Sequence, residues 1–209
     1  MRKLLVSGCS VTHGAELYNQ FMHPENVKLS YSHHLAEKLG YELINVALSA
    51  ASNEYIFHSL MHELDKNQDI ESVIVMWTTT GRLYWNNKGR HYFFNGNFAS
   101  SMKDPVNFKM HDKKIDDCWF TGDSNEIVNK ISKFNNFIVT DYFDDIEEHK
   151  KLSHYQMALK SVCEVKKIKL IELAWNFIDG SWQEQRRHPN ASEHKQTAEK
   201  IYKTYYENI

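Results

Sequence analysis

Two short runs near opposite ends of the 209-residue chain hold the residue types that nucleophilic acyl transfer needs. The first, G-C-S-V-T-H-G at residues 8–14, sets Ser10 between two glycines that permit a tight, exposed turn. The second, R-H-P-N-A-S-E-H at residues 187–194, sets His188 just ahead of the last helical segment. A serine hydroxyl is a weak nucleophile until a neutral imidazole within hydrogen-bond reach accepts its proton. Taken singly, Ser10 reads as a turn or cap residue, and His188 as a residue leading into a helix whose N-cap is Asn190. Taken together, the two runs point to a serine nucleophile with a distant histidine base.

That pairing resembles the SGNH (GDSL-like) hydrolase family. The family's first block reads G-D-S-x-T-x-G; Gly8, Ser10, Thr12 and Gly14 match it, and Cys9 stands in for the aspartate. Its last block commonly reads D-x-x-H-P-N-x-x-G-H, matched here by His188, Pro189, Asn190 and His194. The resemblance implies a three-layer α/β/α fold with a parallel, flavodoxin-like sheet. It also implies ester hydrolysis with Ser10 as nucleophile and His188 as base, no cofactor, and a small-molecule ester as partner, from O-acetylated sugars to lipids and thioesters; the polar, aromatic stretch at 81–125 makes a carbohydrate-type or other small O-acyl ester the first expectation. The backbone N–H groups of Ser10 and Ala50 are the implied oxyanion donors, Ala50 standing where the second block has glycine, and Asn53 is a third, side-chain donor. His194, on the first turn of the last helix, is expected to be structural.

Two blocks depart from the pattern. Where G-x-N-D is expected after the third strand, the chain has W-T-T-T-G-R at residues 77–82. Asn53 can substitute for the missing asparagine, or Thr78 or Arg82 can contact substrate, Arg82 suiting an anionic group. Three residues before His188 stands Gln185 instead of aspartate, and Glu184 is the nearest carboxylate. Glu184 as the third triad member and a Ser-His dyad with a carbonyl partner are equal expectations. A ligand-binding protein with impaired catalysis and an O-acyltransferase on the same fold are the alternatives to a hydrolase.

The elements that must position these residues follow from hydropathy. Residues 3–7, KLLVS, predict a buried strand feeding the loop that carries Ser10. A helix is predicted from Ser30 to Leu39, stopped by Gly40, then a strand over Glu42–Ala47. Ser52 or Asn53 caps a helix over Glu54–Leu64, with Ile56, Leu60 and Leu64 on one face. SVIVMW at 72–77 and IKLIELAW at 168–175 have the unbroken apolar character of parallel strands covered on both faces. Residues 126–166 are predicted to be largely helical, and Ala191–Tyr205 to form the final helix. Strands alternating with helices predict one doubly wound domain over 1–209, and ligands then bind beyond the carboxyl ends of the strands. Between Gly81 and Asn125 the pattern breaks into an aromatic-rich insertion, read equally as a lid or as a local mini-core or dimer contact.

Composition narrows the partners. A net charge of −2 without a basic run gives no electrostatic reason to bind nucleic acid or an anionic membrane. Three cysteines, Cys9, Cys118 and Cys163, with no CxxC spacing, indicate neither a disulfide framework nor a zinc knuckle and fit a reducing cytoplasm. The N-terminal apolar run is shorter than a signal-peptide core, so a soluble, cytoplasmic protein is expected. No metal is expected, since His13, His33 and His34 lack metal-binding spacing.

Overall fold

The computed structural model describes residues 1–18, 23, 25–49, 51–80, 82–87, 90–95, 144–178, 180 and 187–207; for 83–87, 90–95 and 145 it describes the backbone only. Four strands, β1 (Lys3–Ser7), β2 (Glu42–Asn45), β3 (Ile70–Val75) and a last strand over Lys169–Glu172, form one parallel sheet with β1 and β3 inside. Leu5 lies opposite Ile44 on one side and Val73 on the other, and Ile74 lies opposite Ile171.

Alternation along these strands builds two separate cores. Leu4, Val6, Ile74 and Ile171 point to one face, where they meet Tyr31, Leu35 and Ala36 of a helix over Tyr31–Leu39 and Ala198 and Ile201 of the final helix, Ala191–Tyr205. Leu5, Val73 and Val75 point to the other, against Ile56, Leu60 and Leu64 of a helix over Asn53–Lys66 and Leu159 and Cys163 of a helix over Asp145–Lys166. The result is the three-layer α/β/α arrangement that the apolar runs predict. Leu4, Leu5 and Val6 are completely buried, each worth about 1.5–3 kcal/mol of transfer free energy, so the strand that leads to Ser10 is anchored on both faces.

Numbered along the chain, the helices among the described residues are α1 (Ser10–His13), α2 (Asn26–Leu29), α3 (Tyr31–Leu39), α4 (Asn53–Lys66), α5 (Asp145–Lys166) and α6 (Ala191–Tyr205). Gly40 ends α3 in the left-handed conformation, at φ 67°. Ser52, not Asn53, caps α4, its Oγ accepting the Tyr55 N–H. Asn190 and Glu193 form a reciprocal capping box at the start of α6.

Four expectations shift. Strand β3 begins two residues early and its pairing ends at Val75, leaving Met76 and Trp77 buried beyond it as strand-end residues. The last strand pairs only over Lys169–Glu172, and a 3-10 turn at Trp175–Phe177 follows. The Ser10 segment is a single helical turn, not an open loop. Within the stretch read as irregular, β4 (Arg82–Asn87) and β5 (Arg90–Asn95) pair as an antiparallel hairpin, Asn87 opposite Arg90; the last sheet strand is therefore β6. Aromatic residues favour strands whether or not they alternate strictly with polar ones, which is why the pattern concealed this hairpin. The remainder of the expected insertion, and 126–143 of the expected helical stretch, lie outside the described residues. No described helix is long and apolar enough to cross a membrane.

Candidate active site

The carboxyl end of β1 runs through Gly8 and Cys9 into α1, whose first residue is Ser10. Gly8 is required sterically: a Cβ there would lie 2.2 Å from Thr12 Oγ1 and 2.7 Å from Thr12 Cβ. Gly14 closes the turn at φ 79°, and the Ala15 N–H returns to the Ser10 carbonyl at 2.9 Å. Cys9 is fully buried and Ser10 is 7% exposed. Thr12, also fully buried, accepts the Tyr31 O–H at 3.2 Å. His13 donates Nδ1–H to the Ala47 carbonyl at 3.3 Å, and burial pushes its pKa down despite that bond. Its Nε2 is buried without a hydrogen-bond partner.

The loops after β2 and β3 are clamped to each other. The Asn53 carboxamide makes two hydrogen bonds to the backbone of Thr78, Nδ2 donating to the carbonyl at 3.0 Å and Oδ1 accepting the N–H at 2.8 Å. One Nδ2 hydrogen of Asn53 remains beyond that clamp. Thr78 Oγ1 and Ser49 Oγ are buried there without partners. Arg82 reaches back toward the Ala51 carbonyl at 3.5 Å. Trp77 donates its indole N–H to Glu172 at 2.6 Å and its carbonyl accepts the indole N–H of Trp175 at 2.8 Å, so β3 and β6 stay joined beyond their ladder. Ala50 lies outside the described residues.

The last block is fixed by charge. Arg187 forms a two-pronged pair with Glu193, at 2.6 and 2.8 Å, and donates to the His188 carbonyl at 2.9 Å. The Arg187 guanidinium holds the Glu193 carboxyl below its ordinary pKa against the opposing effect of burial. Gly180 makes room for this carboxylate, since a Cβ there would approach Glu193 Oε1 to 2.3 Å. Beyond the pair, His194 is fully buried, stacked on Tyr31, its Nδ1 accepting the Tyr31 N–H at 3.1 Å. Burial, aided by nearby His34, pushes the His194 pKa down to about 4.

His188 itself turns to the first block. Its Nδ1 donates to Oε2 of Glu16 at 3.0 Å, with the His188 side chain 25% and the Glu16 side chain 55% exposed. Glu184 and Gln185 lie outside the described residues. The first and last blocks are thus tied by Thr12 through Tyr31 to His194, and the segment just after the first block is tied to the last by Glu16 and His188, while Asn53 and Thr78 tie the second to the third. Glu16 escaped the sequence reading. The contact spans 172 positions, and although Glu16 stands two residues after Gly14, nothing local marks its left-handed φ of 71°.

His58 and His62 stand at i, i+4 on α4, a metal-type spacing. Both are exposed, and His58 lies 4.0 Å from Glu54; among the described residues no three His, Cys, Asp or Glu side chains are grouped to hold a metal ion.

No protein-family model and no curated sequence matches the chain. Among solved structures, the chain is similar to a lipolytic protein of the G-D-S-L family from Desulfitobacterium hafniense at 11% identity and TM-score 0.40, covering 97% of this chain and 99% of that one. It is similar to the psychrotrophic esterase EstA from Pseudoalteromonas sp., inhibited there by monoethylphosphonate, at 11% identity and TM-score 0.40 over 97% and 96%. A carbohydrate acetylesterase family member from Sinorhizobium meliloti has 10% identity and TM-score 0.45 over 98% and 97%. In its two motif blocks and its parallel α/β architecture, the chain is similar to SGNH/GDSL-like hydrolases.

Proposed function

We propose that the protein hydrolyses esters by acyl transfer through Ser10, with His188 as general base and acid. The observation that carries this reading is the contact of His188 Nδ1 with Glu16 Oε2 at 3.0 Å, because Glu16 belongs to the segment that follows the Ser10 turn. A proton held on Nδ1 leaves the Nε2 lone pair to act as the base. Ser10 Oγ attacks the ester carbonyl as its proton passes to His188 Nε2. The tetrahedral intermediate collapses, the alkoxide leaves with that proton, and the acyl group stays on Ser10. Water then attacks the acyl-enzyme, giving its proton to the imidazole, and the acid departs as Ser10 recovers its hydrogen.

Ser10 opens α1, so its N–H has no acceptor within the helix and is available to an oxyanion. The Ala50 N–H and the remaining Asn53 Nδ2 hydrogen are the other proposed donors. Thr78 and Arg82, at the third strand end, are the proposed substrate contacts, and the aromatic-rich 81–125 stretch favours a small O-acyl ester of carbohydrate type. A second reading, ligand binding in the same cleft without turnover, is favoured by the commitment of Asn53 to the Thr78 backbone.

The test is a fluorophosphonate probe followed by intact mass, with p-nitrophenyl acetate turnover in parallel, on the wild type, Ser10→Ala and His188→Ala. The hydrolase reading expects stoichiometric labelling and turnover lost in both variants. Folded wild type that neither labels nor turns over overturns it in favour of ligand binding. Capture of the acyl group by an added sugar or alcohol in preference to water identifies an acyltransferase instead.

A further inference from the structure

We propose that Glu16 is the positioning carboxylate of the site, holding His188 in the tautomer and orientation that make Nε2 the base; this rests on the hydrolase reading above. Gln185 stands where a carboxylate three residues before His188 would come from the last block itself. The structure instead brings a carboxylate from the segment just after the first block to the atom that requires one, His188 Nδ1.

Two physical features set this contact apart from an ordinary surface ion pair. First, Glu16 adopts φ 71°, a conformation that costs a residue with a Cβ and that glycine or asparagine would adopt more easily. An exposed pair returns little stability. Strain of this kind at a residue whose carboxylate meets a candidate base fits a functional constraint better than a stabilising one. Second, both ends of the contact are fixed independently of it. Gly14 closes the α1 turn beside Glu16, and Arg187, itself paired with Glu193, holds the His188 carbonyl. The imidazole therefore meets the carboxylate from a fixed backbone, as a positioning contact requires.

Glu16→Gly removes the carboxylate while relieving the left-handed backbone, so the variant is expected to keep or raise its Tm. The expected result is at least a tenfold fall in the rate of Ser10 phosphonylation and in kcat for p-nitrophenyl acetate, with KM nearly unchanged. Because Glu16 is half exposed, added formate should restore part of the lost rate in Glu16→Gly and none in His188→Ala. Nitrogen-15 spectra of the imidazole should show the Nδ1–H tautomer of His188 in the wild type and its loss in Glu16→Gly, a change that a purely structural role would not produce. Wild-type labelling matched in rate by a folded Glu16→Gly would overturn the role of Glu16 alone. Absence of labelling in the wild type would overturn the hydrolase reading and the role of Glu16 with it.

Discussion

His194 offers a test of the packing around the last block, because it is an ionisable ring with no exposure to water. Burial lowers its pKa from the ordinary 6.5 to about 4, with His34 and His188 adding to the drop and Glu193 opposing it. The unfolded chain takes up a proton on this ring as pH falls below about 6.5, whereas the folded chain does so only near pH 4. The stabilising effect of the neutral ring is thus complete above about pH 6.5 and is lost progressively toward pH 4. The full difference is on the order of 3 kcal/mol, of which about 2.5 is reached by pH 4.5. His194→Asn keeps an acceptor for the Tyr31 N–H while removing the titration. It should be less stable than the wild type at pH 7.5 by about 1–3 kcal/mol, through the smaller side chain. Urea unfolding at pH 7.5, 6.5, 5.5 and 4.5 should show this gap closing and then reversing or vanishing as the wild type loses stability faster. His13 and His34, also held below their ordinary pKa by burial, destabilise both proteins on acidification, so the comparison isolates His194. Parallel stability curves for the two proteins would refute a buried neutral His194.

Substitutions at two further positions probe the strand-end loops. Gly8→Ala drives a methyl group into Thr12, which Tyr31 holds in place, and should cost about 1–3 kcal/mol in urea unfolding while slowing Ser10 labelling through displacement of α1. Asn53→Leu leaves the buried Thr78 N–H and carbonyl without partners and should cost about 2–4 kcal/mol. Asn53→Asp keeps the acceptor for the N–H and should lose less at neutral pH.

What the sequence disclosed and what it hid divide along the range of the interactions involved. The final helix was legible from Ala191 to Tyr205, because Asn190 is a strong N-cap. Gly40 likewise marked the end of α3, and the unbroken apolar runs marked β1 and β3. The single turn of α1 is too short to show any periodicity, so the segment carrying Ser10 read as a loop. The β4–β5 hairpin lacks the strict alternation that would have announced it. The Asn53 clamp, the burial of His194 and the Glu16 contact are all long-range, joining positions 25, 163 and 172 residues apart. No local pattern encodes such pairs, and motif resemblance supplied only the residues that sit at conventional positions.

The contact between Glu16 and His188 bears on what a hydrolytic triad requires. The chemistry constrains where the carboxylate stands relative to Nδ1, not where it comes in the chain, and Ser-His-acid sites on unrelated folds differ in residue order for this reason. A carboxylate on the segment after α1 has a particular consequence. The proposed nucleophile Ser10 and the proposed positioning carboxylate Glu16 then share one short stretch of backbone, held by Gly8, Gly14 and the Tyr31–Thr12 bond, so a displacement of this stretch moves both together relative to the imidazole. The half-exposed position of Glu16 limits its electrostatic effect, since solvent screens a charge there far more than in a closed interior. In the proposed role its contribution is therefore chiefly orientation and tautomer, both supplied by the hydrogen bond itself. Removing it should slow acyl transfer well short of the roughly 10⁴-fold loss seen when a buried triad acid is neutralised, and should leave a measurable residual rate carried by Ser10 and His188.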